Sequence, residues 1–345
     1  MPYVLTLKPL TTAAAIAALL TASATAAPVS LPAYGADPQQ TSVSGLSSGA
    51  FMAVQLQVAY SASIVGAGIV AGGPYYCAAA GGLLFAGNCM GLVIEPPLNP
   101  ALMVEATKSF AATRLIDPLS HLSRRRIYVF SGTYDTVVFQ RAVDATAAFF
   151  RQAGVPPASL AYVHTVSAGH ALITPSAINE CAANMAPFLN HCSVNSKGYD
   201  QAGELLKHIY GPLNPRAAAP TGQIVSFNQS AYAAAAARMA NTAYLYVPQS
   251  CTATGARCKV HVALHGCVQS TESIGNQFVA EAGYNHWADS NKLLVLYPQI
   301  NKSNDDTNPH GCWDWWGYTG ADYALKSSSQ MSAIMKMVSQ LAKPR

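Results

Sequence analysis

The sequence predicts an α/β fold in which a mostly parallel sheet carries helices on both faces. Strand-like segments alternate along the chain with helix-like segments, which is typical of parallel sheets covered by helices. A Gly-Leu-Ser-Ser-Gly motif, Gly45–Gly49, lies between a strand-like and a helix-like segment. The chain also holds an even set of 8 cysteines, which indicates that disulfides stabilise the fold.

The first 26 residues have the pattern of an export signal. Lys8 supplies a positive charge, Thr11–Leu20 is an apolar run too short to cross a bilayer, and Ala24–Ala26 matches a small-x-small cleavage site. We therefore expect residues 1–26 to be removed. We expect residues 27–345 to form a single catalytic domain that is secreted (extracellular or periplasmic), with no membrane partner.

Local patterning predicts the individual elements. Apolar, β-branched runs predict strands, and apolar residues at helical spacing predict helices. The predicted strands are Gln40–Ser44, Ser63–Val70, Ile127–Phe130, Leu160–Val166, Ala243–Val247, Lys259–Leu264 and Leu293–Tyr297. The predicted helices are Ala50–Tyr60, Phe139–Ala153, Ser327–Leu341 and the alanine-rich Ala231–Ala240, since alanine is the best helix former. The Pro/Ala-rich segment Pro212–Pro220 is expected to be a connection.

The cysteines suit an oxidising compartment, where disulfides persist. Many pairings are open to eight cysteines. Short loops favour Cys181 with Cys192 and Cys251 with Cys258; Cys77 with Cys89 is a weaker candidate, and Cys267 and Cys312 remain. Zinc is the alternative, but the sequence has no Cys-x-x-Cys and no regularly spaced Cys/His set, so we expect no metal site.

Composition argues against a strongly charged partner. Charged residues make up 10% of the chain, the formal net charge is +4, and 51% of residues are hydrophobic. The basic cluster Arg124–Arg126 directly precedes a predicted strand, so we interpret it as a solvated loop and expect no nucleic-acid partner. The glycine-rich stretch Gly66–Gly73 is interpreted as a strand-end turn, since no helix-starting pattern follows it, and we expect no cofactor. An uncharged, partly apolar partner fits best.

Ser47, at the centre of the Gly45–Gly49 motif, is the candidate nucleophile. A strand, a tight turn flanked by glycines and then a helix hold a serine in a strained, exposed position. The helix start favours negative charge that develops near the serine. A chance match in a Ser/Gly/Ala-rich segment is the alternative.

A serine nucleophile needs a base and an acid that orients the base. Asp135 follows one predicted strand and His170 follows the next along the chain. In parallel sheets the chemistry gathers at the carboxyl ends of strands. The order Ser47, Asp135, His170 is that of the α/β-hydrolases. A turn aspartate and a loop histidine are the alternatives for the two partners.

The reaction also needs donors for a developing oxyanion. One expected donor is the backbone N–H of Ser48, which follows the nucleophile. The second normally comes from a His-Gly loop that precedes the nucleophile, but here His265-Gly266-Cys267 lies far downstream of it. Because the order becomes normal when the chain is read circularly, we predict a circularly permuted α/β-hydrolase in which Cys267 N–H is the second donor.

With these residues assembled, the sequence resembles the extracellular poly(3-hydroxybutyrate) depolymerases. The resemblance covers essentially the whole chain after the export signal and is carried by Ser44–Ala50, Ser131–Asp135, Ala168–His170, Leu264–Cys267 and Asn308–Tyr318, with its three tryptophans. It implies a single-domain, circularly permuted α/β-hydrolase that cleaves polyester bonds through an acyl-enzyme. The triad roles fall on Ser47, Asp135 and His170, and the oxyanion roles on the N–H groups of Ser48 and Cys267.

The resemblance also assigns substrate contacts to Trp313, Trp315 and Trp316, together with His265. A buried aromatic core is the alternative for Trp315 and Trp316. Many members of the family append a linker and a polymer-binding module, and neither pattern occurs in this sequence. Adsorption to solid polymer would then use tyrosines and apolar side chains of the catalytic domain, which we expect to be monomeric.

Three functions are therefore compatible with the sequence. The first is hydrolysis of poly(3-hydroxybutyrate), related short-chain polyhydroxyalkanoates or their oligomers. The second keeps the chemistry and changes the substrate: a secreted feruloyl or acetyl esterase acting on plant polysaccharide. The third is a non-catalytic secreted binding protein with a hydrolase fold, which the complete Ser/Asp/His set disfavours.

Overall fold

The computed structural model describes residues 1, 29–79, 83–93 and 95–345. Apart from Met1, the predicted export signal lies outside the described residues. The strands are β1 Thr41–Leu46, β2 Ile64–Val70, β3 Arg126–Phe130, β4 Leu160–Val163, β5 Leu172–Ile173, β6 Leu189–Asn190, β7 Ser193–Val194, β8 Lys197–Gly198, β9 Gln223–Asn228, β10 Thr242–Val247, β11 Lys259–Leu264 and β12 Leu293–Tyr297. The helices are α1 Ser48–Ala59, α2 Leu83–Cys89, α3 Pro100–Ala112, α4 Gln140–Gln152, α5 Gln201–Tyr210, α6 Thr271–Ile274, α7 Gln277–Glu281, α8 Tyr284–Ser290 and α9 Ser329–Ala342.

Eight strands form the main sheet, in the order β4-β3-β2-β1-β11-β12-β10-β9. In this order the six strands from β4 to β12 are parallel to one another, whereas β10 is antiparallel to both β12 and β9. The inner strands are almost entirely buried, as expected for parallel strands covered on both faces. The mostly parallel α/β sheet predicted from the sequence is confirmed.

The sheet joins an early strand to a late one at its centre. The nucleophile strand β1 lies between β2 and β11, and Gly45 pairs with Leu264 directly before the His-Gly loop. The described N-terminal segment also meets the end of α9, since the N–H groups of Tyr34 and Ala36 donate to Leu341 O. These neighbours confirm the predicted circular permutation, because the His-Gly strand lies beside the nucleophile strand despite their separation along the chain.

Helices cover the sheet. Helix α1 packs on β1, β2 and β11, while α5 and α8 contact each other and pack on β2, β3, β10 and β12. All 12 residues of α1 are buried, so its apolar pattern is not confined to one face. Among the described residues, no helix combines the length and apolarity that a membrane span requires.

One predicted helix is wrong and one predicted strand is too long. Ala231–Ala240 forms only a single 3-10 turn, Ala235–Ala237. Alanine's helix propensity is weak beside tertiary hydrogen bonds: the Gln229 amide donates to Ala240 O and Gln299 O, and Ala240 N–H donates to Gln299 O. These hydrogen bonds hold the segment in a non-helical conformation, in which it connects β9 to β10. Strand β4 ends at Val163 rather than Val166.

The cysteines pair as the short-loop argument favours. The bonds join Cys77 to Cys89, Cys181 to Cys192, Cys251 to Cys258, and Cys267 to Cys312. Three of the four bonds close loops of 12 residues or fewer in sequence separation. The fourth joins the His-Gly loop to the tryptophan segment, so it holds together two segments that the sequence analysis linked to the active site.

A buried histidine lies at the centre of the sheet. His261, on β11, is fully buried, and its two ring nitrogens bond the hydroxyls of Ser42 and Ser44 at 2.7 Å each. Ser44 also bonds the hydroxyl of Tyr284 at 2.7 Å. Burial lowers the pKa of His261 to about 3, because the charged imidazolium loses its hydration. The ring therefore stays neutral in neutral solution.

Candidate active site

Ser47 occupies a strained turn between β1 and α1. Its φ is 57° and its ψ is −125°, which is unusual for a residue other than glycine. The flanking glycines are required by close backbone contacts: a Cβ on Gly45 would lie 2.2 Å from Gly49 C, and a Cβ on Gly49 would lie 2.4 Å from Leu264 O. Only glycine fits at both positions. The turn therefore has the geometry of a nucleophile elbow.

Asp135 and His170 form a buried pair. Asp135 Oδ2 lies 2.9 Å from His170 Nδ1, and both residues are buried. The other carboxylate oxygen, Oδ1, accepts the backbone N–H groups of Val137 and Val138 at 2.9 Å each. The carboxylate is thereby fixed in place and occupies Nδ1 of the ring, which leaves Nε2 for a proton exchanged with a nucleophile.

Ser47 and His170 line one cavity of about 510 Å³. No hydrogen bond joins the Ser47 hydroxyl to the His170 ring in the described part of the chain. Unliganded sites commonly show such loose geometry before substrate tightens it. The structure thus brings all three predicted triad residues together, with the acid–base bond formed and the nucleophile on the same cavity wall.

The cavity is largely apolar. Its lining consists of Ser47, Ser48, Phe51, Ala86, Met90, Val137, Val138, His170, Phe188, Cys267, Val268, Thr307, Asn308, Pro309, His310, Cys312, Trp315, Trp316 and one carboxylate, Asp306. Apolar walls with a few convergent polar groups are typical of sites for small organic ligands. A larger groove of about 760 Å³ lies elsewhere, lined by charged side chains such as Lys197, Glu204 and Arg216. None of the predicted site residues lines that groove.

The predicted oxyanion donors also meet at the cavity. Ser48 and Cys267 both line it, and in the described part of the chain neither backbone N–H donates to a protein acceptor. A Cβ built on Gly266 would lie 3.3 Å from Ser47 Cβ, so the His-Gly loop passes directly against the nucleophile. The two N–H groups are therefore available to a negatively charged oxygen near Ser47.

Two fully buried side chains hold the Gly266 backbone. Gln269 Oε1 accepts Gly266 N–H at 2.7 Å, and His265 Nδ1 lies 2.7 Å from Gly266 O. Ile300 N–H donates to His265 Nε2 at 3.1 Å, so Nε2 is the acceptor and Nδ1 carries the proton that bonds Gly266 O. Burial lowers the pKa of His265 to about 4, while its bond to Gly266 opposes that shift. Because C=O and N–H point oppositely in a trans peptide, this bond turns Cys267 N–H away from His265.

The tryptophans divide into two groups. Trp315 and Trp316 line the cavity; Trp315 stacks on Phe51 at 4.1 Å between ring centroids, and Trp316 meets Trp315 edge-on at 5.3 Å. Trp313 and His265 are instead fully buried, outside the cavity lining, with ring centroids 5.6 Å apart. Substrate contact is predicted for Trp313 and His265 as well; neither side chain lines this cavity, and their contact with substrate stays a prediction.

Asn184 is a site residue that sequence reasoning missed. Its Oδ1 accepts the backbone N–H of His170 at 2.8 Å and that of Thr136 at 3.1 Å, while its Nδ2 donates to Tyr134 O at 3.0 Å. It therefore joins the backbone beside the acid to the backbone of the base. No motif surrounds Asn184 in the sequence, so only the folded structure reveals this position. Among the described residues, no group of three or more His, Cys, Asp or Glu is placed to hold a metal ion.

The central strand of the mostly parallel sheet leads into the serine elbow, and the acid and base loops follow two neighbouring strands. This arrangement defines the α/β-hydrolase class. Residues 241–343 match the family model described as Esterase PHB depolymerase. A polyhydroxybutyrate depolymerase of Talaromyces funiculosus is 38% identical over 333 residues, covering 92% of this chain and 94% of that protein. The chain belongs to the PHB depolymerase family.

Other relatives agree. A poly(3-hydroxybutyrate) depolymerase of Delftia acidovorans is 43% identical over 320 residues. The match covers 92% of this chain but only 62% of the length of that relative. The crystal structure of PHB depolymerase from Penicillium funiculosum matches with a TM-score of 0.83 and 37% identity, covering 91% of this chain and 99% of that one. A PHB depolymerase variant with serine replaced by alanine, complexed with an R3HB trimer, matches with the same values.

Proposed function

We propose that this protein is a secreted serine esterase that cleaves ester bonds of poly(3-hydroxybutyrate), related short-chain polyhydroxyalkanoates and their oligomers. The observation that carries the proposal is the meeting of the Ser47 elbow with the buried Asp135–His170 pair at one apolar cavity. The proposed catalytic unit spans residues 27–345 and acts as a monomer. Four disulfides support an oxidising location outside the cytoplasm.

The proposed reaction begins with acylation. His170 Nε2 accepts the Ser47 proton as the serine oxygen attacks the ester carbonyl, and the carbonyl oxygen becomes an oxyanion. The N–H groups of Ser48 and Cys267 donate to that oxyanion. The protonated His170, held by the Asp135 carboxylate, then gives its proton to the departing alkoxide, which leaves as an alcohol. Ser47 is left as an acyl ester.

Deacylation repeats these steps with water. His170 accepts a proton from water as its oxygen attacks the acyl carbonyl, and the same two N–H groups stabilise the second oxyanion. Collapse of this intermediate returns the proton from His170 to the Ser47 oxygen and releases a carboxylic acid. The ring must be neutral at the start of both half-reactions, so the Asp135 bond serves to orient it and to stabilise its charged form.

The cavity suits an uncharged polyester chain. Its walls are mainly aromatic and aliphatic, with Trp315, Trp316 and Phe188 beside the catalytic groups. A short, apolar hydroxyacyl unit buries its methyl and methylene groups against such walls without leaving a charge unpaired. A related depolymerase has been crystallised in complex with an R3HB trimer, which supports an oligomer of this chemistry as the ligand.

Exposed apolar side chains near the triad support adsorption to solid polymer. Tyr134, beside the acid, is 58% exposed, and Ile178 and Met185, in the segment after the base, are 80% and 63% exposed. Large apolar side chains in water mark surfaces that meet other apolar matter. We propose that these residues contact the polymer surface while one chain enters the cavity.

Substrate comparison tests the proposal. Mature protein is incubated with R-3-hydroxybutyrate oligomers, an amorphous polyhydroxybutyrate film and methyl ferulate, with Ser47→Ala as the matched control, and the products are separated by chromatography. We expect 3-hydroxybutyrate monomer or short oligomers from the first two substrates and none from the control. Faster turnover of methyl ferulate than of the 3-hydroxybutyrate substrates would instead favour a plant-polysaccharide ester as the substrate. No turnover of any ester would favour the binding-protein alternative.

A further inference from the structure

One loop contacts the acid, base and oxyanion segments together. It runs from Cys181 to Cys192 and is closed by a disulfide between its ends; we refer to it as the 181–192 loop. Cys181 O accepts Gly169 N–H at 2.8 Å. A Cβ on Gly169 would lie 2.2 Å from Ala183 O, so the segment that carries the base packs directly against this loop, backbone to backbone.

Asn184 is the first connection. Its amide bonds the backbone of the base through His170 N–H, and the backbone on both sides of the acid through Thr136 N–H and Tyr134 O. It does not line the cavity. Because the Asp135–His170 distance depends on how these two segments sit together, a side chain that bonds both of them sets that distance.

Gln269 is the second connection, and it reaches the loop from the oxyanion side. Its Oε1 accepts Gly266 N–H at 2.7 Å, and its Nε2 donates to Pro187 O at 2.9 Å and to Phe188 O at 3.2 Å. The side chain is fully buried, so water does not replace these bonds readily. The Phe188 ring stands edge-on to the His170 ring, with centroids 6.0 Å apart.

We propose that the 181–192 loop is the positioning element of the active site, with Asn184 aligning His170 and Asp135, and Gln269 coupling them to the oxyanion segment. Asn184 and Gln269 are thus positioning residues, since each acts through groups that meet the substrate. The inference rests on the proposed function, because it assigns an oxyanion role to Cys267 N–H. Placement matters at this level: misplacement by about 1 Å can cost roughly a hundredfold in rate.

Asn184→Ala is the first test, with Asn179→Ala as its matched control. Asn179 Nδ2 also donates to this loop, at Met185 O and Ala186 O, but its side chain has no hydrogen bond to the acid or base segment among the described residues. Asn184→Ala removes the amide bonds from the loop to the acid and base segments, whereas Asn179→Ala removes two amide bonds to the loop, and both variants should melt at lowered temperatures. We expect kcat for 4-nitrophenyl butyrate to fall about ten- to a hundredfold in Asn184→Ala only, with KM within about twofold.

Gln269→Met and the double variant complete the test. Met has a similar length without the amide, so Gln269→Met should lower kcat independently of whether Asn184→Ala folds. Because both residues act through one loop, the double variant should lose less than the product of the two single effects. Equal kcat losses in the Asn184 and Asn179 variants, losses that only track melting temperature, or fully multiplicative effects would overturn the proposal.

The same experiment separates this inference from the proposed function. The simple ester reports on the triad and the oxyanion donors without requiring polyester recognition. Wild-type protein that turns over 4-nitrophenyl butyrate but neither the 3-hydroxybutyrate oligomers nor the film contradicts the proposed substrate alone, while the variant comparison still decides the role of the loop. Wild-type protein without activity on any ester overturns both proposals.

Discussion

Gly266→Ala perturbs the oxyanion segment without straining its backbone, because Gly266 is not among the positive-φ glycines. An added Cβ would lie 3.3 Å from Ser47 Cβ and 3.4 Å from both Gln269 Oε1 and Leu46 O. At these distances the loop or the nucleophile must give by a few tenths of an ångström, since carbon atoms pack best slightly farther apart. If 1 Å of misplacement costs about a hundredfold, a shift of about 0.3 Å should lower kcat by about fourfold.

The assay is steady-state hydrolysis of 4-nitrophenyl butyrate, with melting temperature measured on the same preparations. Gly198→Ala is the matched control, since its added Cβ would lie 3.7 Å from Pro175 Cβ, an ordinary contact, and Gly198 does not line the catalytic cavity. We expect the control to keep the wild-type kcat. A Gly266→Ala variant with wild-type kcat would refute the reasoning, because the loop would then tolerate displacement beside Ser47.

Three further predictions follow from the buried groups around the site. Burial holds the pKa values of His261 and His265 at about 3 and about 4, against about 6.5 in the unfolded chain. Between those values and pH 6.5 only the unfolded chain takes up these protons, so the free energy of unfolding falls as the pH is lowered. Urea unfolding should show a loss of roughly 2 kcal/mol per histidine from pH 7.5 to pH 5, and a stability that does not change with pH would contradict this. Cys312→Ser removes the disulfide that holds Cys267, so it should lower kcat at temperatures where circular dichroism shows the variant still folded. Full activity with only a lower melting temperature would mean that the disulfide serves stability alone. His265→Asn, which keeps a donor near Nδ1, should retain more kcat than His265→Gln, which does not, and equal kcat values would mean that the bond to Gly266 O is irrelevant.

The parts of the site that the sequence predicted are those encoded by local pattern. Ser47 lies between Gly45 and Gly49, and a Cβ added at either glycine would clash with backbone atoms. The Gly-x-Ser-x-Gly motif therefore identifies the turn directly. Asp135 and His170 follow adjacent strands, β3 and β4, and parallel strands bring their carboxyl ends together. Asn184 and Gln269 carry no such pattern, because their partners are set by how loops pack after folding.

The wrong helix prediction has a similar physical origin. The alanine-rich segment after β9 satisfies helix propensity, yet the Gln229 amide and Gln299 bind its backbone and hold it as a connection. Trp313 and Trp315 share one short motif, but Trp313 is fully buried outside the cavity lining, whereas Trp315 lines the cavity. Propensity and motif identity do not specify which side of a loop meets the cavity.

Ser47 is expected to form an acyl-enzyme with 3-hydroxybutyrate esters, and trapping that intermediate tests its role most directly. Protein turning over an R-3-hydroxybutyrate trimer is quenched in acid, digested and mapped by mass spectrometry, with Ser47→Ala treated identically. We predict a hydroxybutyryl adduct on the peptide that contains Ser47, absent from the variant, which should lose activity by about a millionfold. An adduct on another residue, or trimer hydrolysis by Ser47→Ala at the wild-type rate, would contradict the account.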